Sequence, residues 1–369
     1  MTQDMKAIVP GHIRAIEPYR PGRRIEDIQR ERGLSDIKKM ASNENPLGCS
    51  PHVRAAVTDS LEALNRYPDG NGNGLREKIA LKMGLEKEHI VLGNGSDDLI
   101  TMLARAFLRE GDEAVALSPS FSMYGIAIQS AGARPVFAPL KSFGIDPDAV
   151  IDAVSPQTRM VFLCNPNNPT GTILTRERLE YLLERLPAHV TVVLDEAYIE
   201  FVRDPDCASG RDFIQSGRPV AALRTFSKIY GLAGLRVGYG MAPAWMADIL
   251  NRIRGPFNTS SPAQAGACAA LDDEDFADRS RKLTWEGLDF LSAALDEMGI
   301  DHVPSQANFL LMDVGDADAV FEKLLSKGII ARSMSGAGLP RHIRISAGLP
   351  VENQAFVDAL KNILNAGVK

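Results

Sequence analysis

Four short stretches of this sequence carry side chains that could act together on one ligand. Gly93-Asn94-Gly95-Ser96-Asp97-Asp98 runs into a segment with helical spacing, and glycines beside a serine at a helix start leave backbone N–H groups free to hold an anion. The plain alternative is that Ser96 caps the helix while Asp97 and Asp98 favour its first turn. Asn165-Pro166-Asn167-Asn168-Pro169-Thr170-Gly171 places two prolines and three asparagines in one connection, fixing the backbone while presenting amide donors. Asp195-Glu196-Ala197-Tyr198 puts a carboxylate at the end of the apolar run Val190–Leu194, where charge is costly unless a positive group faces it. As a simple helix cap, Asp195 would need no such partner. In Arg224–Gly240, Lys228 follows Thr225 and Ser227, and Arg236 lies eight residues further on (236 − 228). A lysine just past a buried strand can have its amine pKa lowered and act as a nucleophile, although most single lysines are solvated surface groups.

These stretches answer one chemical demand. A cofactor with an aldehyde, a protonatable ring nitrogen, a phenolic oxygen and a phosphate needs four partners in the protein. They are an imine-forming lysine, a buried carboxylate, amide and phenol donors, and a cup of hydroxyls, N–H groups and arginine. Lys228, Asp195, Asn168 with Tyr198, and the set Ser96, Thr225, Ser227 and Arg236 match them in turn. The cofactor with all four features is pyridoxal 5′-phosphate. Neither a G-x-G-x-x-G dinucleotide loop nor a GK[ST] phosphate loop is present.

The elements that must position these groups are legible around them. Short apolar runs recur at Ile90–Leu92, Ala114–Leu117, Pro135–Ala138, Met160–Cys164, Val190–Leu194, Val220–Leu223 and Val237–Met241. Most lack polar alternation, as strands buried on both faces do. Leu99–Leu108 and Thr175–Leu186 carry apolar residues at three- and four-residue spacing and read as helices between strands. Strands alternating with helices predict an α/β fold with a mostly parallel sheet, with ligands gathered where strands end. Arg254–Pro262 reads as a connector. Beyond it, helices near Phe276–Gly299 and Asp316–Lys327 and strands near Phe309–Val314 and His342–Ser346 form a smaller α+β part.

Composition narrows the function. The 369 residues suit two domains, and 41 basic against 47 acidic residues give a net charge of −6, unsuited to a polynucleotide partner. Four scattered cysteines and six histidines without a close pair give no disulfide framework and no metal site. No run approaches the ~18 apolar residues of a membrane span, and MTQDMKAIVPGHIR has no apolar leader, so a cytoplasmic protein without membrane attachment is expected.

NPNNPTG, DEAY and SK…R, in this order, resemble the fold-type I aminotransferases. SNENPLG, RYPDGNG, GNGSDD, SPSFSMY, DEAYIEF and TFSKIYGLAGLRVGY resemble the histidinol-phosphate aminotransferase branch, from Pro18-Tyr19 to Gly348. The resemblance implies a large domain at 42–258 with a seven-stranded sheet, and a small one made of 1–41 with 259–369. It implies that Lys228 carries the cofactor and shuttles the proton, that Asp195 pairs with the ring nitrogen, and that Asn168 and Tyr198 bind the ring oxygen. Phe121 would lie on the ring face, where the family often has Tyr. Gly95, Ser96, Asp97, Thr225, Ser227 and Arg236 would hold the phosphate, with backbone N–H groups acting at Asp97. Tyr67 would reach the neighbouring subunit's cofactor, making a homodimer with shared active sites. Tyr19, Asn168, Arg332 and Arg344 would bind substrate, and two guanidinium forks suit a phosphate or the carboxylates of glutamate. The implied reaction passes the amino group of glutamate to imidazole acetol phosphate, giving histidinol phosphate. An aromatic amino acid aminotransferase and a threonine-phosphate decarboxylase-like enzyme are the alternatives on the same scaffold. A cofactor-sensing transcription regulator is disfavoured by the acidic balance and by the short stretch ahead of the first motif.

Overall fold

The computed structural model describes residues 8–19 and 21–365. In chain order its strands are β1 (Lys38–Lys39), β2 (Ile90–Gly93), β3 (Glu113–Ser118), β4 (Arg134–Pro139), β5 (Thr158–Cys164), β6 (Thr191–Asp195) and β7 (Val220–Thr225). They continue as β8 (Gly238–Met241), β9 (His302–Val303), β10 (Phe309–Asp313), β11 (Ile329–Ile330), β12 (Arg332–Ser333) and β13 (His342–Ser346). Seven of them form one sheet in the order β2-β8-β7-β6-β5-β3-β4. The pairs from β7 through β4 are parallel, while β8 runs antiparallel to both of its neighbours.

Both faces of this sheet are covered, which explains its unbroken apolar strands. Ala114, Ala116, Met160, Phe162 and Val193 face the layer containing Leu99, Leu103 and Met246. The alternate residues Val115, Leu117, Val161, Leu163, Val192 and Leu194 face the layer containing Leu179, Leu182 and Leu183. Side chains with period two therefore meet an apolar layer on either side. The helix Ser96–Phe107 starts close against β8. A Cβ on Gly238 would lie 2.8 Å from both the Arg224 carbonyl and the Ser96 nitrogen, so only glycine permits this approach.

A second sheet, antiparallel and ordered β12-β13-β10-β9, is covered by the helices Glu274–Glu297, Ala317–Ser326 and Pro350–Asn365 around Leu291, Leu324 and Phe356. β1 pairs in parallel with β11, tying the N-terminal segment to this part. The helix Ser261–Asp272 follows the expected connector yet packs with the large layer, through Ala263, Ala267 and Ala270 near Val53 and Leu75. The chain crosses over inside the long helix that follows. Its Ala277 belongs to the large core, and its Leu288, Leu291 and Leu295 belong to the small one.

Candidate active site

The loops leaving the carboxyl ends of β5, β6 and β7 meet β13 across a cavity of about 920 Å³. Asp195, the last residue of β6, is 2% exposed on its floor. It is a strand end, so the helix-cap alternative fails. Its Oδ2 accepts a 2.7 Å hydrogen bond from the Tyr124 hydroxyl, while Oδ1 has no hydrogen-bond partner among the described residues. Burial pushes the carboxyl up to about 6, against the Tyr124 bond, which favours the charged form. A buried carboxylate with one unpaired oxygen facing a cavity suits a cationic N–H on a ligand.

Tyr198, one short turn beyond, accepts from Asn43 Nδ2 at 3.0 Å and Asn168 Nδ2 at 3.4 Å. Burial raises its pKa, so it stays a phenol, and its own proton has no acceptor among the described residues. Asn168 in turn accepts from Arg344 Nη1 at 2.5 Å, and Arg344 Nη2 donates to the Ala41 carbonyl at 2.6 Å. Arg344 is 8% exposed, and its Nε is buried with no hydrogen-bond partner among the described residues. Its guanidinium carbon lies 5.1 Å from the centre of the Phe309 ring, which supports it from beneath.

Lys228 enters from the loop after β7. Its Nζ donates to the Ser42 carbonyl at 3.1 Å and lies 5.7 Å from the centre of the Tyr198 ring. Burial, helped by the Arg344 charge, lowers its pKa to about 8, so part of the amine is neutral near physiological pH.

Opposite the carboxylate lies a polar cup. Ser227 N donates to Thr225 Oγ1 at 3.1 Å, and Thr225 Oγ1 donates to Ser227 Oγ at 2.9 Å. Arg236 Nη1 reaches Ser227 Oγ at 3.4 Å, and Arg236 Nη2 lies 3.6 Å from Asp97. Gly95 is the cap of the helix Ser96–Phe107, with φ +86°, and Ser96 is its first residue, so the expectation of Ser96 as cap is corrected. A Cβ on Gly95 would strike the Arg236 guanidinium, so glycine lets that side chain lie over the helix start. Asp98 turns away, accepting from Asn94 N and Asn258 Nδ2, both at 2.9 Å. What remains open is a twelve-residue helix N-terminus with two hydroxyls and an arginine, a donor set for a phosphate.

The description "Aminotransferase class I and II" matches residues 35–360 of this chain. The chain belongs to the class I and II aminotransferases. Histidinol-phosphate aminotransferase 2 of Pseudomonas fluorescens is 44% identical over 99% of each chain. Histidinol-phosphate aminotransferase 2 of Carboxydothermus hydrogenoformans is 46% identical over 95% of this chain and 97% of its own. Among solved structures, histidinol-phosphate aminotransferase from Sinorhizobium meliloti, in complex with pyridoxal-5′-phosphate, superposes with a TM-score of 0.90 at 27% identity. The match covers 97% of this chain and 98% of that one.

In this aminotransferase Lys228, Asp195, Tyr198, Asn168, Phe121, Ser96, Asp97, Thr225, Ser227 and Arg236 share the cavity with Tyr19, Arg332 and Arg344. Gly95 lies behind Arg236 rather than on the wall, and Tyr67 is outside the cavity, 82% exposed and stacked on Phe257 at 4.6 Å. Sequence reasoning missed Tyr124 and Asn43. Tyr124 stands three residues after Phe121, one turn behind the ring-facing position. Asn43 carries a left-handed φ of +56°, which asparagine tolerates, and its amide ties Tyr198 to Ser346 of β13. The loop SNENPLG held that signal, since an asparagine-dense turn without a hairpin has to satisfy its amides elsewhere.

Proposed function

We propose that the chain is a pyridoxal phosphate-dependent transaminase that moves an amino group between glutamate and imidazole acetol phosphate, giving histidinol phosphate and 2-oxoglutarate. The observation that carries this reading is one cavity holding a low-pKa lysine, a carboxylate with a free oxygen, a phosphate-type cup and two further arginines. The relatives' names support the substrate. The fit to the cofactor rests on the donor set and on the orphaned Asp195 Oδ1, which is free to accept a ring N–H. When bound, the cofactor would supply an aldehyde carbon that takes up and hands on the amino group and a protonated ring that withdraws electrons from it.

The chain's residues do the rest. Lys228 Nζ, close to neutrality, carries the proton to and from the reacting carbon. Asp195 keeps a proton on the ring nitrogen. Tyr198 Oη would donate a hydrogen bond to the ring oxygen, and Asn168 Nδ2 supports the phenol. Thr225, Ser227, Arg236 and the Ser96 N–H hold the phosphate, while Arg344 and Arg332 fix the anionic end of either substrate. Tyr19, 49% exposed at the mouth, covers the substrate. A homodimer with shared sites belongs to the same reading. It is supported by Tyr67, an exposed aromatic turned away from its own cavity and braced by Phe257. Among the described residues no helix is long and apolar enough to cross a membrane, in keeping with a cytoplasmic enzyme.

Two outcomes follow. The kcat/KM for histidinol phosphate should exceed that for phenylalanine by at least ~10-fold, because phenylalanine offers the two arginines a singly charged carboxylate in place of a dianionic phosphate; near-equal values would favour the aromatic alternative. Arg344→Ala should raise KM for the phosphorylated substrate by ~10²-fold, the scale of one buried charge-assisted fork, with a smaller change in kcat. An unchanged KM would take Arg344 out of the substrate site.

A further inference from the structure

Asp195 is held by a group that none of the assigned roles uses. Tyr124, on the helix Met123–Ser130, is 1% exposed and places its hydroxyl 2.7 Å from Asp195 Oδ2. Its ring has little freedom: it stacks on Phe162 of β5 at 5.1 Å and 12°, and meets the edge of Phe121 at 5.6 Å and 85°. We propose that Tyr124 is a positioning residue, engaging one oxygen of Asp195 so that the other stays free, charged and aimed at the ring nitrogen of the bound cofactor. This rests on the functional reading above.

The choice of a phenol matters. An arginine or protonated histidine in the same place would form an ion pair with Asp195 and compete with the cofactor's ring nitrogen for its charge. A neutral donor stabilises the carboxylate without taking its counter-ion position. Burial raises the Tyr124 pKa far above its usual value, so the hydroxyl remains a donor at every working pH. The other groups around the carboxyl do less. Cys164 of β5 is a buried thiol kept protonated, and the Asp97 and Glu196 carboxylates push the Asp195 proton on rather than off. The Ala197 N–H adds a smaller contribution in the same sense as Tyr124. Because the same tyrosine ring also braces Phe121 against the ring face, one side chain sets both the nitrogen partner and the stacking partner.

The test compares wild type with Tyr124→Phe, which keeps the packing and removes one oxygen, and with Phe162→Leu, which disturbs the packing and leaves the hydroxyl. All three are loaded with pyridoxal phosphate. Five quantities are followed: the cofactor dissociation constant, the pH midpoint of its visible absorption band, kcat, KM and Tm. Without the hydroxyl, Asp195 becomes more basic and draws the proton from the ring nitrogen, so Tyr124→Phe should weaken cofactor binding roughly tenfold, the size of one charge-assisted hydrogen bond. The absorption midpoint should rise by ~0.5 unit or more and kcat should fall roughly tenfold, while KM for the amino donor stays within about twofold. Phe162→Leu should lower Tm and leave the midpoint in place. A Tyr124→Phe enzyme with the wild-type midpoint and affinity overturns the positioning role, as does an equal midpoint shift in Phe162→Leu. A wild-type protein that shows no such band at all would instead sink the functional reading beneath it.

Discussion

Lys228→Ala is expected to lower kcat by at least ~10⁴-fold, the combined scale of a lost covalent anchor and a lost proton carrier. The fold should survive. Lys228 Nζ makes one hydrogen bond, to the Ser42 carbonyl at the cavity wall, and its removal opens space already continuous with the cavity. Arginine should not rescue the variant, since a guanidinium cannot give up its proton near neutral pH. Single-turnover kinetics beside circular dichroism checks both halves; native-like ellipticity with more than a few per cent of wild-type turnover would assign the chemistry to another amine.

Asp195→Asn should act in opposite directions on function and on stability. With cofactor bound, it removes the charge facing the ring nitrogen, and breaking such a buried pair costs about 3–5 kcal/mol, or ~10³-fold in kcat. Without cofactor, it should stabilise the protein. The carboxyl's pKa is raised from 3.8 to about 6 in the folded chain, so the native state binds more protons than the unfolded one between those values. Stability therefore falls as pH rises through this window, and the penalty is complete above about 6. The shift of about two units corresponds to at most about 3 kcal/mol, a few degrees in Tm. Calorimetry of the apoproteins should show the Asp195→Asn variant melting higher than wild type at pH 8, with the advantage gone near pH 3.8. A lower apoprotein Tm for the variant at pH 8 would mean that Asp195 is stabilising where it sits.

The parts legible in the sequence were those whose physics is local. Unbroken apolar runs announced β3, β5, β6 and β7, and the three- and four-residue spacing of Leu99–Leu108 and Thr175–Leu186 announced two helices, which the structure runs over Ser96–Phe107 and Arg176–Arg185 with Thr175 as a cap outside the second. The candidate residues of the four loops were legible because each loop follows a strand, and most of them line one cavity. What escaped depends on distant partners. Nothing in Val237–Met241 marks it as a strand reversed in the large sheet; residues 226–237, which join it to β7, hold only the short turn Ala233–Leu235 and no helix that could carry the chain back for a parallel pairing. Ser96 looks like a cap by type, yet Gly95 takes that place because only glycine leaves room for Arg236. Helix Ser261–Asp272 reads as part of the second half, but its small residues fit against Pro51–Ser60 in the first. Tyr124 is invisible from its neighbours in sequence because its function is a bond to a residue 71 positions away.

On the proposed reading one amine, on Lys228, holds the cofactor while Asp195 faces the opposite end of its ring. Borohydride reduction of the cofactor-loaded protein, followed by peptide mapping, tests it most directly. A single stable pyridoxyl adduct on Lys228 is expected, formed in wild type and in Asp195→Asn at lower occupancy. An adduct on any other lysine, or none at all in a protein that still transaminates, would contradict it.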